Sequence, residues 1–256
     1  MNITNPKKMR TLIRKKEWRD QTAGMIPGFV QTNLVILPKK YAIDFASFCV
    51  RNPKPCPLLD ISSPGEFRTY LAKDADLRTD LPRYHIYKNG KLDQVVLDLM
   101  EIWQNDFVSF LLGCSHSFEA VLSSSGIPIR YQEQGINLCL YSTNISMQSV
   151  GAFKGNVIVS MRPIPMEKVT RATFISARYP KTHGGPVHIG NPSLIGVDLN
   201  IPYIGDKPEF LPGDVPVFWA CGVTPQHVAL NAKIPFMITH APGHMFVTDY
   251  LLEDLE

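Results

Sequence analysis

The stretch Phe107-Val108-Ser109-Phe110-Leu111-Leu112-Gly113-Cys114-Ser115-His116-Ser117-Phe118-Glu119 reads as a strand that turns into a helix. The apolar run from Phe107 to Leu112 is the length of a buried strand, although periodicity alone leaves a helix open for it. Gly113 permits a bend. Ser117 supplies a capping hydroxyl, and Glu119 puts a carboxylate against the positive end of the helix dipole. A second unit of this kind follows near the end of the chain, where Val215-Pro216-Val217-Phe218-Trp219 runs through Gly222 into a helix capped at Thr224-Pro225. Pro235-Phe236-Met237-Ile238-Thr239 is the next strand. Strands alternating with helices at both places predict an α/β protein.

Outward from these units the texture changes. Asn5-Pro6 is an N-cap followed by a proline at the first helical position, with Met9, Leu12 and Ile13 on one stripe. A second helix is expected from Pro38 to about Val50, ending before Asn52-Pro53, with Met25 to Gln31 as loop. Residues 51–82 read as irregular, Arg83 to Tyr87 as a strand, Asn89-Gly90 as a turn and Val95 to Trp103 as a helix. The middle carries short strand-like pieces (Leu138 to Tyr141, Val157 to Met161, Thr173 to Ala177) and a short helix from Met166 to Arg171. The expectation is a mixed-sheet α/β domain built from residues 1–128 and 205–256, with a smaller α+β module, 129–204, inserted. No internal repeat is legible.

A composition of 45% hydrophobic and 19% charged residues over 256 is enough to bury a large core. No apolar run approaches the roughly 20 residues that cross a bilayer, so a cytoplasmic protein without membrane partners is expected. Five cysteines without CxxC spacing argue for reduced thiols rather than a disulfide framework. Residues 1–20 hold seven Lys/Arg against two Asp/Glu, which reads as a solvated helix face rather than a nucleic-acid surface.

Several segments carry residues fit for chemistry. Cys114, Ser115 and Glu119 lie where free backbone N–H groups point out of a strand-to-helix turn, suiting a nucleophile or an anion site. The turn departs from the Gly-x-Ser-x-Gly nucleophile elbow because Ser117 replaces its last glycine; a buried thiol beside an ordinary helix cap is the plainer account. Cys221 and Thr224 occupy the second such turn, where Cys221 is equally readable as a small core residue. His188, in the glycine-rich loop from His183 to Gly190, and His240 and His244, in Thr239-His240-Ala241-Pro242-Gly243-His244-Met245, are candidates for proton transfer or metal binding. His240, His244 and Asp249 could complete a zinc set, but Pro242-Gly243 keeps the two histidines off one helical face. Arg51, in a proline-stiffened loop, and Arg162, before Pro163, suit a carboxylate, or a surface and an internal ion pair respectively.

Taken in order, Gly28-Phe29-Val30-Gln31, Arg51-Asn52-Pro53-Lys54-Pro55-Cys56-Pro57, Gly113-Cys114-Ser115, Ser117-Phe118-Glu119, Ser160-Met161-Arg162-Pro163, Pro186-Val187-His188-Ile189-Gly190, Phe218-Trp219-Ala220-Cys221-Gly222-Val223-Thr224-Pro225 and Thr239 to Met245 resemble the signature blocks of the DUF1445 hydro-lyases, the D-glutamate cyclase-like proteins. His116 and Gly185 depart from that pattern. The resemblance spans nearly the whole chain and implies a two-part α/β structure and a carbon-oxygen lyase that releases water, with D-glutamate closing to 5-oxo-D-proline in the best-defined relatives. It implies a small acidic substrate and no organic cofactor or metal. Catalytic candidates are then Cys114, Ser115, Glu119, His188, His240 and His244, and substrate-binding candidates Arg51, Arg162, Cys221 and Thr224. Homo-oligomerisation stays open, as do two other classes: a non-catalytic carboxylic acid-binding module and a metal-dependent hydrolase.

Overall fold

The computed structural model describes residues 3–256. In chain order the elements are α1 (Pro6–Arg14), β1 (Phe29–Pro38), α2 (Ala42–Arg51), β2 (Leu58–Ile61), β3 (Tyr84–Lys88), β4 (Lys91–Val96), β5 (Phe107–Gly113), α3 (Glu119–Ser124), α4 (Arg130–Glu133), β6 (Leu140–Ser146), β7 (Asn156–Pro165), α5 (Val169–Ala177), β8 (His188–Ile189), β9 (Asp214–Ala220), α6 (Val223–Asn231), β10 (Phe236–His240) and β11 (Phe246–Leu251). The chain is α/β, and its strands form two sheets. One has the order β2-β5-β1-β10-β3-β4 with β11 also on β1; the other has β6-β7-β9-β8. Every ladder is antiparallel.

These sheets contain a repeat that the amino-acid sequence conceals. Strand β1 ends at Pro38 and leads through a 3-10 turn, Lys39–Tyr41, into α2; β7 ends at Pro165 and leads through Met166–Lys168 into α5. Beyond the helices stand Arg51-Asn52-Pro53-Lys54 and Arg178-Tyr179-Pro180-Lys181, each at the same distance from its strand-ending proline. Strand β5 pairs with β1 so that Phe107 faces Pro38 and Gly113 faces Thr32; β9 pairs with β7 so that Asp214 faces Pro165 and Ala220 faces Val159. The registers are the same. The strand orders β2-β5-β1-β10 and β8-β9-β7-β6 match position by position. Their last members are exchanged: β6, following the first copy, lies on β7 of the second, and β10, following the second, lies on β1 of the first. Reciprocal exchange is the mark of two halves related by an approximate two-fold axis.

The sheets therefore do not follow the expected division at 128/129 and 204/205, since β9 lies between β7 and β8. One core cluster joins Val35, Leu37, Phe110 and Leu112 of the first sheet to Val159, Met161 and Phe218 of the second. The other face of β1, through Leu34 and Ile36, joins a cluster that also contains Val217 and Trp219. Burial on both faces explains why β1 has no alternating pattern and passes partly for loop.

Four local expectations are corrected. Val95 belongs to β4, because the left-handed turn at Asn89-Gly90 (φ 50° and 76°) folds that segment back on β3, and residues beyond Val96 form turns. Thr173 to Ala177 is helical: Val169, Ala172 and Ser176 are buried at helix spacing, and Ser176 Oγ accepts a hydrogen bond from Trp219 Nε1 at 3.0 Å. Met25 to Gln31 is loop only as far as Phe29, where β1 begins. Ser117 does not cap its helix. Its hydroxyl accepts the Gln31 N–H at 3.1 Å and faces Gln31 O at 3.4 Å. In the second copy Thr224 Oγ1 accepts the Ile158 N–H at 3.1 Å and donates to Ile158 O at 3.0 Å. Each hydroxyl latches its turn to the neighbouring strand at an equivalent residue.

The basic α1 lies on β11. Arg10 is buried, donating to Val247 O and Asp249, while Arg14 pairs with Asp80.

Candidate active site

Strands β5 and β9 run directly into Cys114 and Cys221, and both cysteines border one cavity of about 590 Å³. The other walls come from segments that the exchange also makes equivalent: His240, Pro242 and Gly243 at and beyond the end of β10, and Asn137, Leu138 and Leu140 leading into β6. The volume suits a small molecule. Close packing behind the two turns demands glycine. A Cβ on Gly113 would lie 1.8 Å from Lys181 O, and one on Gly222 would lie 1.8 Å from Asn33 Nδ2.

Both thiols are nearly covered. Burial pushes the Cys114 thiol up to about 12, against the opposing pull of the His116 N–H and the Asn33 side chain. Burial also raises Cys221, although the Gly222 and Val223 N–H groups point at its sulfur. The sulfurs are close enough that a Cys221 thiolate would disfavour ionisation of Cys114.

Behind the Cys114 turn lies a buried charge cluster. Glu119 Oε1 accepts Arg162 Nε at 2.9 Å and also Arg162 Nη2. Oε2 accepts Tyr131 Oη at 2.7 Å, His116 Nδ1 at 3.0 Å and Gln132 Nε2 at 3.2 Å. Burial alone would raise this carboxyl; His116 and Arg162 outweigh it and hold Glu119 at about 2. Its lone pairs are filled, so it is an ionised anchor rather than a proton donor. Arg162, with no exposure, spends its remaining donors on Ser160 Oγ at 2.9 Å and Ser115 Oγ at 3.3 Å. Of the catalytic candidates, Cys114, Ser115 and Glu119 are thus brought together. His116 and Tyr131 join them, and neither was singled out by sequence reasoning. His116 was visible only as a departure from a motif, and Tyr131 lies on a four-residue helix that leaves no pattern.

On the Cys221 side, Gln226 occupies the position equivalent to Glu119. Its Nε2 lies 2.8 Å from His240 Nδ1, which also accepts the Leu34 N–H at 3.1 Å. An Nδ1 that accepts leaves the proton on Nε2. Burial lowers His240 to about 3, so the ring is neutral and Nε2–H is its free donor.

The remaining candidates lie apart. His244 donates from Nδ1 to Pro242 O at 2.7 Å, shaping the loop whose other residues line the cavity. His188, on the edge strand β8, points its Nε2 at Asn191 O at 2.7 Å. Arg51 is exposed at the end of α2. Thr224 is wholly buried in its latch. Among the described residues no group of three or more His, Cys, Asp and Glu could hold a metal ion; Asp249 is occupied by Arg10 and by the Lys73 N–H at 2.8 Å. A separate depression of about 690 Å³ lies over Pro128, Arg130 and Asp214, whose charges already neutralise one another.

An antiparallel, internally duplicated α/β fold with a small-molecule cavity bordered by its two thiol-bearing turns defines the class of this protein. The family model described as D-glutamate cyclase matches residues 108–249. A "Putative hydro-lyase" of Stutzerimonas stutzeri is 51% identical over 100% of this chain and 99% of its own length. The "Putative hydro-lyase YcsI" of Bacillus subtilis is 50% identical over 98% of each. A protein of the same description from Rubrobacter xylanophilus is 52% identical over 94% of this chain and 93% of its own. The chain belongs to the D-glutamate cyclase family. Among the described residues, no helix is long and apolar enough to cross a membrane.

Proposed function

We propose that this chain is a hydro-lyase that admits a small acidic substrate to the cavity and expels water, and that D-glutamate, closing to 5-oxo-D-proline, is its substrate. The observation that carries this reading is the pairing of two differently held imidazoles on one cavity: His116, whose Nδ1 faces an ionised carboxylate, and neutral His240, with a free Nε2–H. Family membership supports the reaction class.

Lactam closure joins the substrate nitrogen to its side-chain carboxyl carbon. Two ammonium protons leave with one carboxylate oxygen as water. Glu119 holds the Nδ1–H tautomer of His116, so His116 Nε2 can take the first proton and free the amine to attack. The His240 Nε2–H donates to the carboxyl oxygen on which negative charge develops. His116 returns that first proton to the departing oxygen, then takes the second proton from the attacking nitrogen and delivers it to the same oxygen, which leaves as water. We assign carboxylate binding to the start of the turn at Ser115.

The test is incubation of the purified chain with D-glutamate, L-glutamate and a panel of small hydroxy acids, followed by mass spectrometry. A product one water lighter from D-glutamate is expected. Binding of D-glutamate with no product, from it or from any panel member, would instead make the chain a binding module.

A further inference from the structure

The duplication does more than build a cavity: it sets two identical nucleophiles across it. Cys114 and Cys221 each follow the last residue of a seven-residue strand, and each strand is held in the same register against a ten-residue partner. Each precedes a hydroxyl that latches its turn to the equivalent residue of that partner, Ser117 to Gln31 and Thr224 to Ile158. The two turns occupy equivalent places in the two halves and both cysteines border the cavity, so a molecule bound there lies against both thiol-bearing turns. Each sulfur also receives backbone N–H groups from its own turn, His116 for Cys114 and both Gly222 and Val223 for Cys221. Lactam closure as derived above uses neither thiol.

Two like groups on opposite faces of one small acid suit a reaction whose forward and reverse directions are mirror images. We propose that Cys114 and Cys221 exchange the α-proton of the bound amino acid, so that the same cavity interconverts the D and L forms of its substrate or of the lactam product. This rests on the reading that the cavity takes a small amino acid. Cys221, whose sulfur accepts the Gly222 and Val223 N–H groups and feels the Arg162 charge, is the sulfur that begins as the thiolate, its proton released to water. That thiolate removes the α-hydrogen from one face; the electron pair of the C–H bond passes into the carboxylate as an enediolate. The Cys114 thiol, kept protonated by burial and by the Glu119 charge, then gives its proton to the opposite face of the carbon. The carbon is inverted, Cys221 ends as a thiol and Cys114 as a thiolate, and the reverse passage restores both. Nothing is oxidised or reduced.

The experiment uses the unmodified chain in D₂O with L-glutamate, D-glutamate and each enantiomer of 5-oxoproline, read by proton NMR of the α-position and by chiral chromatography. Deuterium at the α-carbon together with the appearance of the opposite enantiomer is expected. Cys114→Ser and Cys221→Ser should each lower inversion by about 100-fold or more, the range of a lost general acid or base. Each variant should still exchange the α-proton of one enantiomer, a different one in each, which loss of folding does not imitate. Retention of the α-proton in all four compounds by the unmodified chain overturns the inference. Water loss without exchange then leaves the hydro-lyase reading standing, whereas exchange without water loss supports the thiol pair alone.

Discussion

The turn after β5 and the turn after β9 share one backbone plan and opposite electrostatics. At the first, Glu119 is ionised and saturated by Arg162, His116, Tyr131 and Gln132. At the second, Gln226 holds a neutral His240. The latches and strand registers are kept in both, while the buried polar residues have diverged. Duplicated packing thus supplies a symmetric container, and the chemistry comes from unlike occupants of equivalent positions. A base and a donor of different character are what a dehydrating closure needs, and a strictly symmetric site would not provide them.

The charged half should be the easier to break. Arg162→Met removes the guanidinium that pairs with the buried Glu119 carboxylate, and we expect a loss of about 3 to 5 kcal/mol in urea unfolding. Gln226→Met, at the position equivalent to Glu119, removes only a neutral hydrogen-bonding group and should cost less. A larger loss from Gln226→Met would reverse the comparison.

Activity sharpens the same contrast. His116→Gln should lower turnover by about 100-fold or more as a general base is lost, with folding intact by circular dichroism. Unchanged turnover would remove His116 from the mechanism.

The latches should be alike. Ser117→Ala and Thr224→Val each strand a buried backbone N–H, at Gln31 and Ile158 respectively, and each should cost about 1 to 3 kcal/mol. Values that differ by more than about twofold would show that the halves are not mechanically equivalent.

Acid titration separates the halves by pH. His240 sits near 3 when folded against an ordinary 6.5. The unfolded chain therefore binds the extra proton first, and stability is lost as pH falls from about 6.5 towards 3. Glu119 is depressed from 4.5 to about 2, so its contribution is complete above 4.5 and is lost as pH falls towards 2. Buried His183, lowered to about 4, contributes to the same upper window, so His240→Gln should reduce the slope between about pH 7 and 4 without abolishing it and leave the lower window in place. An unchanged slope between about pH 7 and 4 would contradict the neutral His240.

Much of the first turn was legible in the sequence. Phe107 to Leu112 could be read as a strand, and the residues behind it as a polar turn, because a buried strand and a helix start each leave a local signature. Arg162 showed as a cation before a proline, but its partner, Glu119, lies far along the chain. The repeat was hidden for two reasons. Its copies keep only a few identities, among them Pro38 with Pro165, Arg51 with Arg178 and Lys54 with Lys181. The first copy also carries a long excursion through β3 and β4 that the second lacks. His188 stood out because glycines and a proline surround it, yet its ring meets the carbonyl of Asn191 in the same loop. Asn33 was the overlooked clue: a polar residue in the apolar run of β1, it reaches Gly113 O at 2.9 Å and packs under Gly222, joining the two turns.

The most direct measurement compares turnover of D-glutamate by His240→Gln and His188→Gln, with water loss followed by mass spectrometry. The cavity between the two turns predicts a loss of about 100-fold for the first and wild-type turnover for the second. Retained activity in His240→Gln with loss in His188→Gln would place the reaction at the edge of the second sheet and contradict the account.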